Sequence, residues 1–212
     1  TYTAEWLEHA FHRYGVLEHI ERLGYSDLHV RIERLDDGDR FRLVGRAQGT
    51  EHLLIDAMVD TMREDDASYL FVNWLTLRHP IATFTLGRPQ LPNQEVPGLG
   101  LAKEAGELLG LMASRLGLAG VAIRPAAYHV AFTARYDFSF VDAERQGRFE
   151  KLLEDLGDTA LAELTSTIDA ERVTLDDRPY SWEATLMVSR LNGRRTAAVP
   201  CEGLFALLAD PS

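Results

Sequence analysis

Pro97-Gly98-Leu99-Gly100-Leu101, together with the apolar-periodic run that continues to Leu116, decides how this chain is read. A glycine-punctuated turn that opens a helix leaves the first backbone N–H groups without intrahelical partners and presents a positive pole to an anion. The spacing predicts a helix over Leu99 to Leu116, a strand over Gly120 to Ile123, a helical run over Pro125 to Arg135 and a second strand over Asp137 to Val141.

Working upstream, Thr3 can cap a helix running to about Leu23. Its apolar positions are Trp6, Leu7, Ala10, Phe11, Tyr14, Leu17, Ile20 and Leu23, and Gly24 stops it. Leu28 to Leu35 alternates apolar and polar residues. The Asp36-Asp37-Gly38-Asp39 turn joins this stretch to Phe41, Leu43 and Val44, the pattern of an antiparallel hairpin. Leu53 to Val59, Tyr69 to Leu77 and Ile81 to Leu86 read as further strands, with Pro80 between the last two. Downstream, Asp142 caps a helix ended by Gly157, a further helix spans about Thr159 to Ile168, and Arg172 to Leu175 and Thr185 to Leu191 read as strands. This order predicts an α+β fold: a mostly antiparallel, mixed sheet flanked by helices, with extra C-terminal helices and strands. We expect one domain over residues 1–212, with a helical N-terminal segment and a C-terminal extension from about residue 142.

Composition narrows the function. A chain of 212 residues buries roughly 70% of its unfolded surface without staples. Its net charge of −11 and its two scattered lysines argue against nucleic-acid binding, which needs clustered cations to displace counterions. No apolar run is long enough to cross a bilayer, so no membrane partner is expected. Residues 1–8 lack a basic start followed by an apolar stretch, and Cys201 has no disulfide partner. Both readings lead us to expect a cytoplasmic protein.

The stretch from about Tyr69 to Val141 resembles the GNAT (GCN5-related N-acetyltransferase) family. In that family a strand ends in the pattern Gln/Arg-x-x-Gly-x-Gly/Ala, and a helix follows whose first amides bind the pyrophosphate of acetyl-CoA. Gly98-Leu99-Gly100 stands at the turn, Leu101 to Leu116 at the helix, and Phe138 at an aromatic position of the family. The resemblance implies a GNAT-like fold, an acetyl-CoA or other acyl-CoA cofactor, and an N-acyltransferase that works by direct transfer to an amine. The cofactor-binding residues it implies are Arg88, Gln94, Gly98, Leu99, Gly100 and Leu101. The family's Gln or Arg position holds Glu95, with Gln94 one residue off register. Thr133 stands where the family carries a Tyr general acid, and Asp137 replaces the glycine before Phe138. These departures favour an alternative: a non-enzymatic GNAT-like binding or interaction module that has lost acyl transfer.

Among catalytic candidates, His129 is a general base that works near neutral pH and Tyr128 is a proton donor; both can equally pack at a helix start. Strand alternation puts Trp74, Thr76 and Arg78 on one face, as a wall for an anionic or planar ligand, and Asn73, Leu75, Leu77 and His79 on the other. Glu5, His9 and His12 have helical spacing that permits metal ligation, yet we assign no metal. Asp142 with Arg145, and Glu144 with Arg148, read as surface ion pairs. The expected partner is a small-molecule or peptide amine, which an acidic surface attracts as a cation. Leu204, Phe205, Leu207 and Leu208 are a candidate docking segment for another protein or for a second copy in a homodimer.

Overall fold

Thr3 starts the first helix by accepting a hydrogen bond from the Trp6 N–H at 3.2 Å. In the computed structural model, which describes residues 3–87, 89–92 and 94–208, the expected single helix is two: α1 (Ala4–Arg13) and α2 (Val16–Arg22). Gly15 separates them at φ +68°, a left-handed conformation that ends one hydrogen-bond ladder and starts another. The apolar period runs through the break, which is why the sequence reads as continuous.

Strands β1 (Ser26–Leu35), β2 (Gly38–Ala47), β3 (Thr50–Glu64) and β4 (Ala67–Leu77) follow as an antiparallel meander in chain order. β3 runs well past Val59, because pairing with β4 carries Asp60, Thr61 and Arg63 even though the hydrophobic alternation has lapsed. Ile81 to Leu86 is not a fifth strand; the chain there is turns and irregular structure with one isolated bridge residue. Pro80 cannot donate to a ladder, and the main chain is tied elsewhere, His79 donating to the Pro97 carbonyl at 2.7 Å. α3 (Ala102–Arg115) leads to β5 (Gly120–Ile123), which neighbours β4 in the sheet. The N–H of Ala119 donates to the Ser68 carbonyl at 2.8 Å, so β5 begins beside the start of β4.

Two compact units result: residues 1–88 with 95–122, and residues 89–94 with 123–212. The first unit contains α1, α2, the meander, α3 and the start of β5. Its helices cover one sheet face, and Phe11, Val16, Phe41, Ile55, Leu75, Leu101, Leu108 and Met112 meet around a small apolar cavity of about 50 Å³.

The second unit contains α4 (Tyr128–Ala134), β6 (Ser139–Phe140), α5 (Ala143–Leu156), α6 (Leu161–Asp169), β7 (Val173–Leu175), β8 (Arg178–Tyr180), β9 (Met187–Arg190) and β10 (Phe205–Leu207). β6 pairs antiparallel with β9, and β10, β7 and β8 form a three-stranded antiparallel sheet. Tyr128, Phe140, Phe149, Leu152, Leu164, Ile168, Tyr180, Met187 and Phe205 build its core. Asp142 caps α5 as expected, accepting from the Arg145 N–H at 2.8 Å. Residues 192–204 form an irregular strap. Its Arg195 guanidinium donates to the carbonyls of Tyr136, Arg135 and Phe138 at 2.7, 2.7 and 2.9 Å, closing the C-terminal end of α4. Gly147 lets the strap lie against the α5 backbone, where the Val199 N–H donates to the Ala143 carbonyl at 2.9 Å.

Candidate functional site

Gly98, Leu99, Gly100 and Leu101 form the turn into α3, as expected. Leu99 and Leu101 are buried anchors, 2% and 3% exposed. Between them Gly100 takes φ +77°, where a side chain would be strained. Long-range bonds hold the turn. The His19 Nε2–H donates to the Leu99 carbonyl at 2.9 Å, and the Tyr25 hydroxyl lies 3.0 Å from His79 Nδ1. Tyr25 is 3% exposed; burial raises its pKa, and a bond from the Ile81 N–H opposes that shift. The sequence carries no sign of this fastening, because its partners lie 54 and 80 residues apart.

No side chain caps α3: its N-cap is Leu101, and the first bond of its ladder runs from Ala105 N–H to the Leu101 carbonyl at 2.9 Å. The amides of Ala102, Lys103 and Glu104 therefore precede that ladder, and Ala102 and Lys103 are exposed. Glu95, the carboxylate that stands against anion binding here, is paired: Arg78 Nη2 donates to it at 2.6 Å. Arg88, the other cation expected near the turn, lies outside the described residues.

Gln94 belongs to the second unit and spends its side chain on its own loop, accepting from the Leu91 N–H at 3.2 Å. Tyr128 is fully buried at the start of α4. Its ring meets Phe132, Phe149 and Trp182, its hydroxyl has no partner among the described residues, and burial pushes its pKa up to about 12. Those contacts make it a packing position. His129 is half-buried, with a buried Nδ1 that has no partner among the described residues. Burial lowers its pKa and outweighs the nearby Asp169 charge, so the ring is neutral at pH 7. Thr133 is committed to the helix, its hydroxyl donating to the His129 carbonyl at 2.8 Å.

The sheet face proposed around Trp74 is built differently from the simple alternation. In the β3–β4 register Met58 opposes Trp74 and Val59 opposes Val72, so Asn73 is an extra bulged residue, and Asn73 and Trp74 are both exposed. Trp74 meets Arg40, whose guanidinium lies 5.8 Å from the ring centroid and grips Asp56 through two bonds of 2.9 and 2.7 Å. Arg78, expected beside Trp74, pairs with Glu95 instead. His12 is engaged by Glu18, and no cluster of three metal-ligating side chains occurs among the described residues. The expected pairs on α5 do not form: Arg145 is 3% exposed, and no ion pair reaches Arg145 or Arg148 among the described residues.

Comparison with protein-family models, with curated proteins and with solved structures gives no match for this chain.

Proposed function

We propose that this chain is a GNAT-like, acyl-CoA-dependent N-acyltransferase. The observation that carries the reading is the uncapped N-terminus of α3 behind the left-handed Gly100, at the end of an antiparallel meander and followed by a strand that starts beside β4. Helix amides and the helix dipole suit a diphosphate. The Arg78–Glu95 pair lowers the repulsion that Glu95 alone would exert there. In the proposed reaction the acceptor amine attacks the thioester carbonyl carbon, the C–S bond breaks and CoA leaves as the thiol. The proton that the amine releases is taken up by the departing thiolate. With Tyr128 in the core, CoA binding without transfer is the second reading.

The test is thermal melting with acetyl-CoA and with a longer acyl-CoA. Ligand at 100 times its dissociation constant adds about 2.7 kcal/mol of stability. Gly100→Val, in a protein that still melts cooperatively, should remove the shift. No shift with either CoA at millimolar concentration discards the proposal. A shift without release of free CoA thiol in the presence of a polyamine selects binding over transfer.

A further inference from the structure

We propose that the apolar cavity of the first unit is a binding site for the end of an unbranched alkyl chain, the tail of an acyl group. The site lies wholly in that unit and does not depend on the acyl-CoA reading.

Two alanines make the space. Ala57 of β3 and Ala105 of α3 stand in its walls among leucine, isoleucine, valine, phenylalanine and methionine side chains. Protein interiors close voids of this size, and a wall that faces empty space forfeits its dispersion contacts. The volume of about 50 Å³ exceeds what one water needs, yet every lining side chain is apolar, so a water finds no partner there. What these walls lack is hydrocarbon.

Shape narrows the ligand. Leu101, Ala105, Leu108 and Met112 follow one another at helical spacing, so a single face of α3 forms a wall about 16 Å long at 1.5 Å per residue. The sheet forms the floor opposite, where Phe41, Ile55 and Ala57 are buried. A space of about 50 Å³ bounded by residues so far apart is long and thin. It is about a third of the ~150 Å³ that admits a benzene ring, so a ring is excluded and a chain end fits. Leu75 and Leu77 of β4, with Ala105 and Leu109 of α3, are half-buried, so the space opens between these two elements. The alkyl end enters there, and the polar head of the ligand stays in solvent. No charged side chain lines the cavity, so recognition is by shape and apolar contact.

The experiment adds hexanoate to the full chain and follows the alanine methyl signals of a proton–carbon correlation spectrum, with thermal melting alongside. We expect the Ala57 and Ala105 methyl signals to move saturably with one dissociation constant, and the melting temperature to rise. Each buried methylene strengthens binding about fourfold, so hexanoate should bind about fifteenfold tighter than butyrate. Cyclohexanecarboxylate, equal in charge but bulkier, should bind at least about tenfold more weakly than hexanoate. Ala57→Val and Ala105→Leu fill the space and should each weaken hexanoate binding about tenfold or more; if one of them fails to fold, the other decides. Leu208→Ala, which removes an exposed apolar side chain of the second unit, should leave the constant unchanged. Hexanoyl-CoA that binds tighter than hexanoate and moves the same methyl signals assigns the tail to a thioester; equal or weaker binding assigns it to a free acid. Three results overturn the proposal: methyl signals that move with neither hexanoate nor hexanoyl-CoA, a response undiminished in both filled variants, or cyclohexanecarboxylate bound as tightly as hexanoate. Acetyl-CoA binding beside any of these three removes the alkyl site and leaves the acyl-CoA reading standing.

Discussion

Replacing Gly147 by alanine tests how the strap over α5 is held. Alanine is the better helix former by about 1 kcal/mol, so an isolated helix would gain from the change. In this protein the new Cβ would lie 2.8 Å from the Val199 carbonyl carbon, closer still to its oxygen, and 3.6 Å from the Cys201 nitrogen. These are backbone atoms, so no rotamer change relieves the overlap and the strap must lift. Lifting breaks the Val199–Ala143 bond of 2.9 Å and loosens the Thr196 N–H bond to the Ser139 hydroxyl at 3.0 Å. Each such bond contributes about 0.5–1.5 kcal/mol, and the buried face of α5 is opened as well. The loss exceeds the propensity gain, and the net expectation is about 1–3 kcal/mol of destabilisation. Gly106 and Gly110 in α3 are internal controls, because a Cβ at either meets nothing within 4 Å. Gly106→Ala and Gly110→Ala should each stabilise by up to about 1 kcal/mol. Urea unfolding of the three variants reads the sign, and hydrogen exchange at 197–201 reads the strap. A Gly147→Ala protein as stable as the wild type, with unchanged exchange there, refutes the reasoning.

Asp56 is held below its ordinary pKa of 3.8 by its hydrogen bonds from Arg40, burial opposing. A depressed carboxylate contributes stability above its unfolded pKa that is lost as pH falls through the folded one. Asp56→Asn should therefore flatten the decline in stability below about pH 4, measured by urea midpoints against pH. His129 is depressed below 6.5, mainly by burial. Protonation favours the unfolded chain, so wild-type stability should fall as pH drops below that value, and His129→Gln should remove the step; a ring titrating at or above 6.5 by nuclear magnetic resonance contradicts this. Ala57 lines the apolar cavity of about 50 Å³, which is larger than one water requires but has no polar wall to hold it. Ala57→Val fills part of that space and should raise the melting temperature by about 2–4 °C, reflecting about 1 kcal/mol; a fall would show the wall to be rigidly packed.

Local signals in this sequence are sound where a single residue decides the local outcome. Thr3 and Asp142 cap the helices they precede, and Gly98 to Leu101 forms the turn before α3. The β1–β2 hairpin forms around Asp36 and Asp37, and β5 has its expected bounds. The readings that fail are those in which backbone conformation or distant chain intervenes. Gly15 breaks a helix whose apolar period is uninterrupted. The bulge at Asn73 upsets the two-residue alternation that assigned Trp74 its neighbours. β8 is Arg178-Pro179-Tyr180, too short to register as a period, and it exists because β7 offers a ladder. Tyr128 reads equally as a proton donor or as core until its three aromatic neighbours, up to 54 residues further along the chain, are in place.

The same distinction explains why the α5 arginines read as ordinary. Helical spacing pairs Asp142 with Arg145 and Glu144 with Arg148, and such pairs are worth a few tenths of a kcal/mol when exposed. That reading assumes the helix face is solvated. Here Asp142 is drawn to the backbone as an N-cap, which takes its carboxylate from the side chain it should have met. Trp182 and Tyr180, brought in by the chain after β7, then cover Arg145. Once covered, the charge can no longer be screened by water, and it rests instead on the ring faces, the Tyr180 hydroxyl and the Glu183 carbonyl. A capping residue and a distant tryptophan thus turn what reads as a surface charge pattern into a buried cation held by ring faces and neutral oxygens.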